Sequence, residues 1–278
     1  MPSPPSFFTV LLAFVVSAGI ALAARRAHTL STSGAIAATI GGTLSIAAGW
    51  TWGIFVVVWF LYASVLSRAG RRRKAMQTAG IVAKGGRRDA WQVLANGGVY
   101  FALAAAAIIA LTLALPEHAA LAAQIAAASL IAAGADTTAT EVGTWWQGTP
   151  VSLRTWSRVP PGTSGAVSVP GTTALVAAAL LLTGMAVAIG LVPPEAFWPV
   201  AVAGIAGALI DTLLGAIVQS RRYCAFCGES TEQLVHRCDT ATRADGGWNW
   251  MTNDMVNLLC TVTAALIAGG WLTLLADR

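Results

Sequence analysis

Two carboxylates stand directly behind a long apolar run, where charge is costly in a bilayer. Asp136 and Glu141 follow an alanine-rich stretch and are separated by threonines, including Thr140, which shares a helical face with Asp136. Because Mg²⁺ binds proteins through one or two carboxylates and keeps water and phosphate oxygens as its other ligands, this pattern favours a magnesium–phosphate site. A helix end that reaches solvent, with Asp and Thr capping the next segment, is the structural alternative.

Two further apolar stretches carry similar residues. Asp211 lies about two turns, roughly 10 Å, inside one of them, where an unpaired charge costs at least a few kcal/mol. Asn253, Asp254 and Asn257 open another, at spacings that place them along one helical face. A structural ion pair between Asp211 and an arginine is the alternative for the first stretch. N-capping by Asn253 or Asp254 is the alternative for the second, and it leaves Asn257 unexplained.

A glycine-rich turn is a candidate anion site. It holds Gly162, Thr163, Ser164 and Gly165, and such a turn can aim backbone N–H groups at a phosphate. The Gly-Lys-Ser/Thr sequence of a Walker A loop is absent, and an ordinary turn before a helix explains the segment equally well.

The basic loop 67–91 supplies candidate phosphate contacts. Lys84, Arg87 and Arg88 stand beside Gly85-Gly86 and just before a helix, which favours phosphate binding. The cluster 71–74 is better explained as a topology signal held against anionic lipid headgroups.

A cysteine–histidine pattern between the last two apolar stretches predicts a structural zinc site. CxxC followed by a His/Cys pair supplies the four ligands of tetrahedral zinc and leaves no open position. A disulfide is disfavoured because the loop is expected in the cytoplasm. Residues 219–250 are therefore interpreted as a Cys/His loop inserted into a single transmembrane domain, 1–278, with the ligands Cys224, Cys227, His236 and Cys238.

Transmembrane helices must position these residues. The chain of 278 residues is 56% hydrophobic and only 10% charged, which is typical of a polytopic membrane protein and argues against nucleic-acid binding. Only Gly49-Trp50-Thr51 separates the second and third apolar stretches, which form either a hairpin or one broken segment. The pattern predicts an all-α bundle of about eight membrane helices, near 7–24, 33–49, 51–66, 92–115, 119–135, 171–192, 196–218 and 254–275.

Charge predicts the orientation of the bundle. Alternating eight spans puts every Lys and Arg except Arg278 at one end, together with the candidate carboxylates. The positive-inside rule makes that end cytoplasmic and places both chain termini outside. Carboxylates collected at one membrane face favour a reaction centre, whereas transporter residues more often cluster near the midplane.

Taken in order, the motifs resemble an integral membrane family that includes plant phytyl-phosphate kinase of tocopherol synthesis and an animal transmembrane protein of unsettled function. The resemblance extends from about residue 30 to 260. It rests on Ser33-Gly34-Ala35; Gly85-Gly86-Arg87-Arg88 with Gln92 and Asn96; Asp136-Thr137 with Glu141 and Gly143; Val159-Pro160 with Gly162, Thr163 and Gly165; Asp211 with Gly215 and Gln219; and Asn253-Asp254 with Asn257.

The resemblance implies a phosphotransferase that uses CTP or another nucleoside triphosphate and an isoprenoid lipid. It implies metal-binding and catalytic roles for Asp136, Glu141, Asp211 and Asp254, and phosphate contacts from Arg88 and the glycine turn. We therefore expect a Mg²⁺-dependent kinase that converts an isoprenyl monophosphate to the diphosphate at the cytoplasmic face, among membrane lipids. Cytidylyl transfer to a lipid phosphate, an ion-coupled transporter or flippase, and a scaffold built around the zinc loop are the alternatives. A homo-oligomer remains open.

Overall fold

The computed structural model describes residues 4–69, 80, 86–146 and 148–276. This part of the chain forms a helix bundle, which confirms the predicted all-α membrane fold. Seven of its helices are long and apolar enough to cross a membrane, and α2 is a shorter apolar helix of 17 residues. The helices are α1 Phe7–Arg26, α2 Thr32–Ala48, α3 Trp50–Arg68, α4 Ala90–Thr112, α5 Pro116–Trp145, α6 Val169–Ala188, α7 Phe197–Ile217 and α8 Asn253–Ala276.

Helix α5 is the centre of the bundle and packs against α3, α4, α6, α7 and α8. Its alanines explain this position, since Ala126, Ala127 and Ala128 are fully buried. Lipid tails are as apolar as Leu, so helices in a bilayer associate through close packing, which small residues permit. The alanine-rich run before Asp136 is therefore the surface on which neighbouring helices assemble around that residue.

Helices α2 and α3 form a hairpin with its turn at Gly49. The start of the hairpin meets Arg88 through a parallel bridge between Leu30 and Arg88. The end of the hairpin meets the same residue, because the Arg88 guanidinium donates to the carbonyl oxygen of Ala63 (3.3 Å) and to Ser67 Oγ (3.4 Å). Both ends of the pair thus lie at one end of the bundle, which is called the polar end below.

Short strands occur only in the connections at the polar end, within the part of the chain that is described. Between α5 and α6, β1 (Val151–Ser152) pairs antiparallel with β2 (Ala166–Val167). Between α7 and α8, a three-stranded antiparallel sheet has the order β4-β3-β5, formed by β3 Arg221–Cys224, β4 Glu229–Thr231 and β5 Arg243–Gly246. This second sheet is the body of the predicted Cys/His insertion.

Gly207 of α7 lies where three helices meet, which gives a test of the packing. A Cβ built there would be 2.7 Å from the Cys260 carbonyl oxygen and 3.0 Å from the Ala132 Cβ. We expect Gly207→Ala to destabilise the protein by about 1–3 kcal/mol through overpacking, measured by thermal unfolding in detergent micelles. Gly184→Ala is the matched control, because a Cβ on Gly184 of α6 meets nothing within 4 Å. Equal stability of the two variants would contradict this packing.

Candidate functional site

A polar cavity of about 740 Å³ opens at the polar end of the bundle. Its walls come from the ends of α5 and α7, the starts of α4, α6 and α8, the glycine turn and the Cys/His insertion. Helices of alternating direction explain the arrangement, since segments distant in sequence end at the same level. The cavity brings together these predicted site residues: Arg88, Asp136, Thr140, Glu141, Gly162, Thr163, Ser164, Gly165, Asp211, Asn253 and Asn257.

The carboxyl groups of Asp136 and Asp211 lie against each other across α5 and α7. Close helix packing brings them together, since a Cβ on Gly204 of α7 would lie only 2.6 Å from Ile131 Cγ2 of α5. The second oxygen of Asp211, Oδ2, is buried and makes no hydrogen bond within the described residues. Two carboxylates in contact repel each other unless a proton or a cation lies between them.

Arg88 places a fixed positive charge on the cavity wall. Its guanidinium lies 5.8 Å from the centre of the Phe60 ring. Burial lowers the pKa of Arg88, and the carboxylate of Glu141 raises it; a guanidinium remains protonated through either effect. Glu141 is itself only 8% exposed. Arg88 and Glu141 therefore add a charged pair to the same cavity that Asp136 and Asp211 line.

The backbone on either side of Arg88 is clamped, which positions its side chain. The Arg88 amide donates to the Thr29 carbonyl oxygen (2.9 Å), and the Ser31 amide donates to the Arg88 carbonyl oxygen (3.0 Å). A Cβ on Gly34 would lie 2.1 Å from that same carbonyl oxygen, so the close approach requires glycine. Asp89 then caps α4 in a reciprocal capping box with Gln92.

The glycine turn is held by hydrogen bonds within its own backbone, and it packs against the end of α7. Gly162 (φ 88°) and Gly165 (φ 70°) adopt left-handed conformations that favour glycine. The amide of Thr163 donates to the Pro160 carbonyl oxygen, and the amide of Ala166 donates to the Thr163 carbonyl oxygen. These two amides are engaged within the turn, which leaves the Gly162 segment and the Thr163 and Ser164 side chains at the cavity surface.

Glu232 is a cavity carboxylate that sequence reasoning missed. Its Oε1 accepts hydrogen bonds from Ser164 Oγ (2.8 Å) and from Gln219 Nε2 (2.7 Å). Gln219 is 2% exposed, so it is fixed at the end of α7. Glu232 and its neighbour Gln233 line the cavity although they belong to the Cys/His insertion. The only signal in the sequence is that Glu232 lies between two predicted metal ligands. This spacing does not indicate that its side chain faces the cavity.

The insertion gathers its four predicted metal ligands. Ligand atoms of Cys224, Cys227, His236 and Cys238 all lie within 4.8 Å of one another. The Cys224 and Cys238 Sγ atoms are 3.5 Å apart. A disulfide would need about 2.05 Å, whereas two thiolates on one tetrahedral zinc lie about 3.8 Å apart for Zn–S bonds of about 2.3 Å. The cluster could therefore hold a metal such as zinc.

Hydrogen bonding prepares this cluster for a cation. Bonds with Thr240 and then His236 lower the pKa of Cys238 to about 6, while the bond to Cys238 raises the pKa of Cys227 to about 12. One thiol is thus a thiolate at neutral pH, and a second holds its proton until a metal displaces it. The outer nitrogen of His236, Nε2, lies 3.5 Å from a carboxylate oxygen of Glu229, an approach common for histidines that bind metal through the other nitrogen.

A comparison of the sequence with protein families decides where the chain belongs. Residues 15–265 match the family described as Integral membrane protein DUF92. The chain belongs to this family. The resemblance drawn from the motifs is thereby confirmed.

Two relatives of this DUF92 protein cover most of its length. Protein PGR of Arabidopsis thaliana is 28% identical over 281 aligned residues, which cover 94% of this chain and 95% of the plant protein. An uncharacterized membrane protein of Synechocystis is 30% identical over 234 residues, covering 83% of this chain and 78% of the relative. No solved structure matches the chain.

Among the described residues of this DUF92 protein, two of those predicted for the metal–phosphate site, Asp254 and Arg87, do not line the cavity. Asp254 is not among the described residues that line it, although its neighbours Asn253 and Asn257 are. The N-cap of α8 is Thr252 and not Asn253 or Asp254, because the Thr252 hydroxyl accepts a hydrogen bond from the Met255 amide (3.4 Å). Arg87 is exposed beside the cavity and pairs with His28, and Lys84 lies outside the described residues.

Proposed function

We propose that this DUF92 protein is a membrane-embedded phosphotransferase that converts an isoprenyl monophosphate to the diphosphate with CTP or another nucleoside triphosphate. One observation carries the proposal: the Asp136–Asp211 contact and the Arg88 guanidinium face one polar cavity at the end of a membrane bundle. Phosphoryl transfer requires positioning and charge neutralisation more than covalent chemistry, and acidic and guanidinium groups in one cavity supply both.

The carboxylate pair fits Mg²⁺. Asp211 Oδ2 is buried without a hydrogen-bond partner in the described residues, and Asp136 is in direct contact with Asp211. Oxygen ligands from one or two carboxylates, with phosphates and water completing the shell, are what Mg²⁺ takes in kinases. When bound, the ion supplies the charge neutralisation that brings the nucleotide phosphates to the acceptor.

The acceptor phosphate needs no general base to activate its attacking oxygen. The second pKa of a phosphate monoester is about 6, so its attacking oxygen carries no proton at neutral pH. That oxygen forms a bond to the γ-phosphorus of the nucleotide, the bond from γ-phosphorus to the bridging oxygen breaks, and a nucleoside diphosphate leaves. Arg88 neutralises the acceptor, and the glycine turn borders the part of the cavity proposed for the nucleotide phosphates.

We propose that the polar end faces the cytoplasm. Every Arg within the described ranges lies at this end, on helix termini or in the connecting segments there. The positive-inside rule favours a cytoplasmic location for such an end. Nucleoside triphosphates would then reach the cavity directly from solution, and both chain termini would lie on the opposite side of the membrane.

Product analysis with labelled nucleotides tests the proposal. Purified protein in lipid nanodiscs is incubated with phytyl, geranylgeranyl or polyprenyl phosphate, Mg²⁺ and each nucleoside triphosphate. We expect label from a γ-labelled donor in the lipid diphosphate, and none with Asp136→Asn. Label from an α-labelled donor together with pyrophosphate would replace the kinase by a cytidylyltransferase. No turnover with any combination would overturn both, and nucleotide-independent lipid movement would then support a transporter.

A further inference from the structure

A second, apolar cavity adjoins the polar one. It is narrow, with a volume of about 110 Å³, and lies among α1, α2, α3, α4 and α5. The two cavities have four lining residues in common: Arg88, Gln92, Asn96 and Thr137. Apart from those four and Ser17, the apolar cavity is lined by hydrophobic residues and glycines. The molecule therefore contains a polar cavity and an apolar cavity, called the apolar groove below, that meet at the half-buried Arg88.

The groove follows the membrane direction rather than cutting across the bundle. From Leu30, beside Arg88, its wall continues along α2 through Ala38, Gly42 and Ile46. The spacing of Ala38, Gly42 and Ile46 keeps this lining on one face of the helix, and a helical rise of about 1.5 Å per residue gives that face a length of about 12 Å. The hydrocarbon core of a bilayer is about 30 Å thick, so this face extends through about 40% of its depth.

Small residues set the width of the groove. A Cβ on Gly42 of α2 would lie 2.8 Å from Ser17 Oγ, and one on Gly97 of α4 would lie 2.9 Å from Phe101 Cζ. The facing part of α1 contributes Ala21 and Ala24. A volume of about 110 Å³ between such helices favours one hydrocarbon chain over a pair of acyl chains.

We propose that the apolar groove receives the hydrocarbon chain of the lipid phosphate whose head group occupies the polar cavity. This inference rests on the proposed function for the chemistry of the head group. A lipid monophosphate matches the junction, since its anionic end meets the Arg88 guanidinium and its chain lies past the Phe60 ring on the apolar side. The groove thus acts as a chain-binding and length-selecting site rather than leaving the chain in bulk lipid.

Two adjacent valines of α3 provide a matched test. Val57 lines the groove, whereas Val58 does not and is 38% exposed on the outer surface. For Val57→Trp we expect kcat/KM to fall at least about tenfold with geranylgeranyl phosphate and to stay unchanged with dimethylallyl phosphate, because the ring fills space that only the long chain needs. Val58→Trp is expected to leave both values unchanged. Equal effects of the two variants, or equal losses with both substrates, would overturn the groove.

A binding readout on the unmodified protein separates this proposal from the proposed function. Geranylgeranyl phosphate with a diazirine at its distal end is photolysed in nanodiscs without nucleotide, and the adducts are mapped by mass spectrometry. We expect adducts on α2, α3 and α4 residues that line the groove. Such adducts without turnover would support chain binding in the groove and contradict the proposed kinase activity. Turnover with adducts only on outward residues such as Ile36 or Ile40 would support the kinase activity and contradict chain binding in the groove.

Discussion

Asp211→Asn is expected to reduce phosphotransfer by about 10²–10³-fold, the range seen when one preorganised electrostatic contact to a reacting group is removed. The reason is geometric: Asp211 touches Asp136 inside the cavity and leaves one buried oxygen without a partner in the described residues. Asparagine keeps the size of the side chain and removes its charge, so the loss reports on cation binding rather than on packing. Initial rates of lipid diphosphate formation over a range of Mg²⁺ concentrations measure it.

Asp254→Asn is the comparison that makes this result informative. Sequence reasoning assigned Asp211 and Asp254 the same role, but of the two only Asp211 lines the cavity. We expect Asp254→Asn to retain activity within about tenfold of the original protein, at the same Mg²⁺ optimum. A loss for Asp254→Asn as large as that for Asp211→Asn would show that the carboxylates act as one set and would contradict the geometry proposed here.

Removing the metal from the Cys/His cluster is expected to lower the phosphotransfer activity, because it displaces Glu232 from the cavity wall. The cluster holds the loop from which Glu232 reaches Ser164 and Gln219 in the cavity wall. Structural zinc contributes folding free energy to small metal-binding units, so Cys224→Ser should loosen the insertion and withdraw Glu232. We expect a loss of about 10–100-fold, the size typical of removing support around a site. The bundle itself should remain folded.

Four variants distinguish this effect from a scaffold role of the zinc loop. Zinc content by elemental analysis should be one per chain for the original protein and for Cys260→Ala, whose cysteine lies in α8 away from the cluster. It should be lost in Cys224→Ser. Glu232→Gln should keep zinc and lose activity, and the double variant Cys224→Ser/Glu232→Gln should lose no more than either alone. Full activity in the zinc-free variant would contradict this role of the loop and would support a partner-binding role instead.

Several elements follow from the sequence because their causes are local. Apolar stretches of about 20 residues predict membrane helices, since a bilayer offers backbone groups no other partner. Most observed helices match the predicted stretches, but the prediction was wrong for α5, which continues to Trp145, ten residues past the predicted end at 135, and so contains Asp136 and Glu141. The Cys/His ligands were equally readable, because a four-ligand metal site has characteristic ligand types and short spacings. Asp136 and Asp211 stood out for a comparable reason, as charges where charge is expensive.

Other features depend on how distant helices pack. Whether the segment 33–66 is a hairpin was settled by contacts of both its ends with Arg88. The neighbourhood of Glu232 depended on the fold of the insertion, and the exclusion of Asp254 from the cavity lining depended on the rotation of α8. Helical periodicity relates residues a few positions apart, but it carries no information on which face of one helix meets which face of another.

The sequence by itself therefore determined the list of elements, their location in a membrane and the carboxylates in apolar stretches that helix packing does not require. The tertiary structure decided which of those carboxylates meet. Glycines and alanines of α5 and α7 let the two backbones approach until Asp136 and Asp211 touch. Close approach of this kind results from the packing of all the neighbouring helices at once, so no single segment could have revealed it.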